Sequence, residues 1–85
     1  MKKLIEEVKC EGLEMLLGEK ITLFCARYIY AGKLVSVNES YIKLEDCGIV
    51  YETGALDNNK WQDYQKLPKE WYIEIHAIES FGLLK

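Results

Sequence analysis

Few residues of this chain could carry out covalent chemistry. It has one histidine, His76, and three cysteines, Cys10, Cys25 and Cys47. The cysteines are far apart in sequence, and none belongs to a Cys-x-x-Cys pair that could bind zinc or exchange disulfides. The sequence also lacks a phosphate-binding glycine loop and a nucleophile elbow. We therefore expect a protein that is not an enzyme and that holds no metal and no cofactor. A Cys47–His76 thiolate pair is the enzymatic alternative.

Aromatic residues beside lysines form the second chemical feature. Within twelve residues the chain places four aromatic side chains, Trp61, Tyr64, Trp71 and Tyr72. Lysines alternate with them at positions 60, 66 and 69. Such a segment can stack the bases of single-stranded nucleic acid, or its Trp and Tyr can anchor a protein interface. A third interpretation is that the tryptophans fold back and cap one end of the domain. We predict the four aromatics as partner-binding residues.

Length and charge limit the function classes. Eighty-five residues make a single domain, residues 1–85. The formal net charge of −3 argues against a protein that coats nucleic acid by bulk charge, although a local basic rim is still allowed. The first residues do not resemble a signal peptide, and no apolar run is long enough to span a membrane. With an odd number of cysteines, these features predict free thiols and a cytoplasmic protein without membrane contact.

The periodicity of apolar residues predicts one helix and then strands. Apolar positions in residues 2–17 recur at helical spacing, so we expect an amphipathic helix there. Gly18 is suited to cap it, because glycine accepts the left-handed conformation.

From about residue 20 to 83 the period is two, which predicts about five antiparallel strands. Gly32 interrupts a strand pattern and is typical of a sharp bend. Residues 53–70 break the pattern and are predicted as a long loop. Short sequential strands with glycine bends favour a small, strongly bent barrel. An open sheet with the helix on one face is the alternative.

Several segments resemble the Sm and Sm-like proteins. Residues 13–23 (LEMLLGEKITL) resemble the family's short helix, glycine-basic step and first strand. Residues 32–38 (GKLVSVN) resemble its G-x-L-x-x-hydrophobic-acid/amide motif, and residues 41–46 (YIKLED) its third strand. Residues 71–81 (WYIEIHAIESF) are similar to its paired fourth and fifth strands. The resemblance implies a mainly β fold, an N-terminal α-helix followed by a five-stranded, strongly bent antiparallel barrel.

The resemblance also implies a function. In the family, two loops form a nucleotide pocket, and the last two strands pair between neighbouring subunits to form rings. Asn38 matches the first loop and His76 partly matches the second; Tyr41 and Lys43 complete the predicted nucleic-acid contacts. The resemblance therefore implies a homo-oligomer, assembled through its C-terminal strands, that binds single-stranded RNA at a ring pore. Because Ile75 stands where the family usually has a cation beside this position, a protein-interaction module without RNA binding is the alternative.

Overall fold

The fold is a single antiparallel sheet. The computed structural model describes residues 12–85, and within them the sheet has six strands. They are β1 (Lys20–Cys25), β2 (Ile29–Val37), β3 (Tyr41–Glu52), β4 (Asp63–Lys66), β5 (Trp71–Glu74) and β6 (Ile78–Gly82). The strand order is β4-β3-β2-β1-β6, and β5 also pairs with β3. The prediction of a mainly β, antiparallel fold is confirmed, with six strands instead of five.

The extra strand lies inside the segment predicted as one long loop. β4 pairs with the second half of β3, with Tyr64 opposite Val50 and Gln65 opposite Ile49. Its sequence, DYQK, lacks alternating apolar residues, and none of its residues is buried. The strand forms because β3 is long enough to offer a free edge, which is information that local periodicity does not carry.

The predicted helix at residues 2–17 is not supported by the described residues. Positions 2–11 lie outside them, and from residue 12 onward the segment forms one 3-10 helix, Leu13–Leu16. Gly12 before it and Leu17 after it have extended backbones, so a single turn is all that fits between them. Gly18 does adopt the left-handed conformation, with φ of 89°, as expected of a glycine that ends a helical turn.

The pairing of β2 with β3 is irregular at Gly32, where the interrupted strand pattern predicts a sharp bend or a bulge. β2 continues through Gly32, which lies against β3 so closely that a Cβ at this position would be 2.4 Å from the Cβ of Cys47. The register of β2 and β3 shifts at the same place, where Asp46 adopts a φ of 51°. A side chain on residue 32 would force the strands apart, so glycine permits the contact.

Four strands of the sheet supply the buried core. Its members come from β1, β2, β3 and β5: Ile21, Leu23, Leu34, Ile42, Leu44, Cys47 and Ile73. Leu13 and Leu16 of the 3-10 helix pack against them. A second 3-10 helix, Ile75–Ala77, connects β5 to β6.

Closure into a barrel is not supported, because in the described chain β5 pairs with β3 and β6 with β1, but not with each other. Between residues 12 and 85 there is no helix long and apolar enough to cross a membrane.

Candidate functional site

Two loops that the sequence predicted to act together are neighbours in the structure. The turn between β2 and β3 contains Asn38, and the 3-10 helix between β5 and β6 contains His76. The backbone N–H of Ile75 donates a hydrogen bond of 2.9 Å to the carbonyl of Ser40. This bond continues the β3–β5 ladder, in which Tyr41 is opposite Glu74. The two loops are therefore held side by side by main-chain hydrogen bonds.

Asn38 organises the first loop. Its Oδ1 accepts hydrogen bonds from the backbone N–H groups of Ser40, at 2.7 Å, and Tyr41, at 2.8 Å. This is the behaviour of an Asx turn, in which the side chain replaces a backbone acceptor. The carbonyl oxygen of the amide is thus committed to the turn, and Asn38 shapes the loop that carries Tyr41.

Two exposed tyrosines form the centre of this surface. The rings of Tyr41 and Tyr72 meet edge to face, with centroids 5.5 Å apart, and remain 42% and 56% exposed. Lys43 Nζ lies 5.7 Å from the Tyr72 ring centroid and 3.4 Å from a Glu70 carboxylate oxygen. The neighbouring Glu70 carboxylate raises the pKa of Lys43. We call Tyr41, Tyr72 and Lys43 the tyrosine–lysine surface.

The sequence predicted Tyr72 as a partner-binding residue together with the other aromatics of its segment. In the structure its nearest aromatic neighbour on the surface described above is Tyr41. Tyr72 lies directly opposite Lys43 in the β3–β5 register, which brings it beside Tyr41 on the same face. A cross-strand neighbour of this kind depends on which strand pairs with which residue. Sequence spacing alone does not reveal it.

The remaining aromatics do not form one platform with Tyr72. Tyr64 is opposite Val50, whereas Trp71 is opposite Leu44, six residues away on the same strand. This separation is about 20 Å along an extended strand. The Tyr64 ring covers Gly48, where a Cβ would come within 2.5 Å of it, and burial raises the pKa of the Tyr64 hydroxyl. The ammonium group of Lys85 lies over the Trp61 ring, with Nζ 4.6 Å from the ring centroid.

A cleft borders the other side of β5. Its volume is about 400 Å³, and it lies between β5 and the turn that joins β1 to β2. The residues that line it include three tyrosines and two charged residues: Tyr28, Tyr30, Tyr72, Arg27 and Glu74. The rings of Tyr28 and Tyr30 meet edge to face at 6.2 Å. The cleft was not predicted, because its walls come from segments more than forty residues apart.

The cysteines do not have the character of catalytic thiolates. Cys47 is fully buried in the core and Cys25 is partly buried, and burial raises the pKa of both thiols. A nucleophilic cysteine needs the opposite shift. Cys10 lies outside the described residues. In residues 12–85, the histidine, cysteines and carboxylates form no group of three or more that could hold a metal ion.

No protein-family model matches this chain, and no curated protein matches it. The resemblance to Sm-like proteins therefore stays a prediction.

Proposed function

We propose that this protein is a non-catalytic, oligomeric Sm-like module that contacts single-stranded RNA through the tyrosine–lysine surface. The observation that carries the proposal is the Ile75–Ser40 hydrogen bond, which holds the loop of Asn38 against the loop of His76. These are the two loops that the resemblance implies for the nucleotide pocket. Exposed aromatic rings and a lysine lie beside them, as a stacking site for bases requires.

The strand order also supports the Sm-like interpretation. Apart from β4, the order is β5-β3-β2-β1-β6, so the two strands that are last in sequence occupy the two ends of the sheet. A three-residue 3-10 helix connects them. Because one short turn joins the two end strands, this order is compatible with the barrel topology that the resemblance implies, although β5 and β6 do not pair with each other.

Within residues 12–85, β5 and β6 each pair with a strand on one side only, and their other edges support oligomer formation. An unpaired edge offers a row of N–H and C=O groups to another chain. Phe81 on β6 and Leu83 just after it are exposed apolar side chains, which pairing would cover. We propose that β6 of one subunit pairs with β5 of the next, so that a ring completes each barrel and repeats the tyrosine–lysine surface around a pore.

The composition of the tyrosine–lysine surface predicts that its affinity for RNA depends only weakly on salt concentration. Lys43 is the cation of the tyrosine–lysine surface, and it is already paired with Glu70. A subunit that neutralises about one phosphate of a single strand gives a slope of about −0.7 in a plot of log affinity against log salt. Stacking on Tyr41 and Tyr72 then supplies most of the free energy of binding, and His76 adds a polar contact.

The test is RNA binding by a variant without the two rings, Tyr41→Leu with Tyr72→Leu. Stacking contributes about 1–3 kcal/mol per base, so the affinity for a fluorescent oligouridine should fall at least about tenfold. Tyr51→Leu is the matched control, because Tyr51 is on the same strand and 51% exposed but lies away from the two loops. Equal affinity of wild type and double variant, with unchanged assembly, would refute this placement of the site. Asn38→Ala is less informative, because it removes the acceptor that holds the turn.

The cleft beside β5 favours a second candidate function, binding of an extended protein segment without RNA. A peptide that added a strand to β5 would place its side chains near Tyr28, Tyr30 and Arg27. Under this function, a peptide array should yield extended apolar ligands, and Tyr28→Ala should weaken their binding without affecting oligouridine. Purified protein free of nucleic acid and unresponsive to oligouridine would favour this candidate over the first.

A further inference from the structure

The loop between β3 and β4, residues 53–62, surrounds an ammonium group with three carbonyl oxygens. Nζ of Lys85 donates hydrogen bonds to the carbonyls of Thr53, at 2.7 Å, Ala55, at 3.0 Å, and Lys60, at 2.8 Å. The same Nζ lies 4.6 Å from the centroid of the Trp61 ring. A lysine ammonium has three N–H donors, and here each one has a carbonyl acceptor. We call the three carbonyls and the Trp61 ring the carbonyl cage.

Hydrogen bonds that do not involve Lys85 give the loop its shape. The N–H of Gln62 bonds to the carbonyl of Glu52 at 3.0 Å and closes the neck of the loop. Within the loop, Asn58 donates its N–H to the Ala55 carbonyl and accepts the N–H of Lys60 at its Oδ1. Gly54 has a φ of 70°, which turns the chain between two of the cage carbonyls. The carbonyls therefore converge because of the loop itself.

The geometry points to a ligand class. Three carbonyl oxygens at hydrogen-bonding distance from one nitrogen create a negative potential that favours a cation with several donors on a single atom. An indole face adds cation–π attraction on the remaining side. A guanidinium spreads its donors over a plane, and so matches this arrangement less well than an ammonium does.

We propose that the 53–62 loop is a binding site for primary alkylammonium groups, the chemical class of the lysine side chain, and that Lys85 occupies it in cis. The contact fastens the segment after β6 to the loop between β3 and β4, at sequence separations of 25 to 32 residues. Release of Lys85 makes the cage available to a lysine of another chain. This inference does not depend on RNA binding or on ring formation.

The test removes the Lys85 ammonium from the carbonyl cage and then adds a small ammonium compound that can bind in its place. Lys85→Met keeps an unbranched side chain but removes the ammonium, and it leaves the buried core unchanged. We expect n-butylammonium to bind this variant saturably, shifting the indole N–H signal of Trp61 and the amide signals of residues 53–62 in two-dimensional NMR spectra. Wild type should require about tenfold more n-butylammonium, because a tethered group competes at a high effective concentration.

Two variants sharpen the test. Adding Trp61→Leu to Lys85→Met should weaken n-butylammonium binding about two- to fivefold, since the cation–π contact is lost. Lys60→Met should behave as wild type, because Lys60 contributes its backbone carbonyl to the cage.

Three results would overturn the proposal. The first is the absence of saturable n-butylammonium binding to folded Lys85→Met protein. The second is equal binding of potassium at matched ionic strength, which would make the site a general cation site. The third needs no variant: in wild type, the Lys85 ammonium should give its own slowly exchanging ¹H–¹⁵N signal, and rapid exchange at low temperature would contradict three simultaneous hydrogen bonds.

Discussion

β4 and β5 pair with the same edge of β3 but are held there in different ways. β5 pairs with residues 41–44 of β3 and buries Ile73 in the core. β4 pairs with the other half of β3 and buries none of its residues. Its stability comes from main-chain hydrogen bonds, the Tyr64 ring on Gly48, and the carbonyl cage at the loop before it.

The difference distinguishes the strands that the chain needs in order to fold from a strand that is added at the edge of the folded sheet. The part of the sheet around the core follows the apolar pattern of the sequence and must be intact for the chain to fold. β4 and the loop before it, residues 53–66, which we call the arm, contain no buried residue and should open at a lower free-energy cost.

Gly32→Ala should have the largest effect. The new Cβ would be 2.4 Å from the Cβ and 2.8 Å from the Cα of Cys47, so the β2 and β3 backbones must separate. We expect a loss of about 4 kcal/mol or more, above the ~1–3 kcal/mol typical of overpacking. Urea denaturation measures it. Gly82→Ala is the control, because a Cβ there meets nothing within 4 Å, and an equal loss in both variants would refute the argument.

Ile73→Ala tests the attachment of β5 to the core. Ile73 is buried and pairs with Ile42, so truncation should lower the free energy of unfolding by about 3 kcal/mol. Gln65→Ala, on exposed β4, should change it by less than about 0.5 kcal/mol. Similar losses in the two variants would show that both strands belong to one cooperative core.

Gly48→Ala should loosen the arm alone. Its Cβ would lie 2.5 Å from the Gln65 carbonyl oxygen and from the Tyr64 ring, on the side of β4. Hydrogen exchange should therefore accelerate at the amides of β4, while those of β1 stay protected. A uniform acceleration throughout the sheet would contradict a separately opening arm.

Asp46→Asn should have the smallest effect on stability, and the effect should appear only when stability is compared between neutral and acid pH. The Lys66 ammonium, in contact with the carboxylate at 2.6 Å, lowers the pKa of Asp46. Because the folded pKa is below the unfolded value of about 3.9, the pair stabilises the fold above that pH. Its contribution disappears as the pH falls through the folded pKa. The urea midpoint of Asp46→Asn should thus fall less between pH 6 and pH 3 than that of wild type. Glu52→Gln, another exposed carboxylate change on β3, should follow wild type.

The sequence predicted those features that follow from side-chain patterns. Alternating apolar residues indicated the main strands. Gly32 interrupts such a pattern, and at this position the structure brings β2 close to Cys47 on β3. β4 was missed because DYQK has no apolar alternation. The position of Tyr72 beside Tyr41 could not be predicted from sequence spacing, because it depends on the β3–β5 register. The carbonyl cage has no side-chain signature, since backbone oxygens form three of its walls, and a carbonyl is present at every residue.

The most direct test of the central claim, an oligomeric module that carries RNA, is light scattering coupled to size-exclusion chromatography of freshly purified protein. Absorbance is read at nucleic-acid and protein wavelengths across the peak. We predict a mass of several 9.9 kDa subunits with excess nucleic-acid absorbance. A multisubunit mass without nucleic acid would keep the pairing of β5 with β6 and remove the RNA function. A single 9.9 kDa chain would contradict the proposed ring, because the edges of β5 and β6 that are unpaired within residues 12–85 would then have no partner subunit.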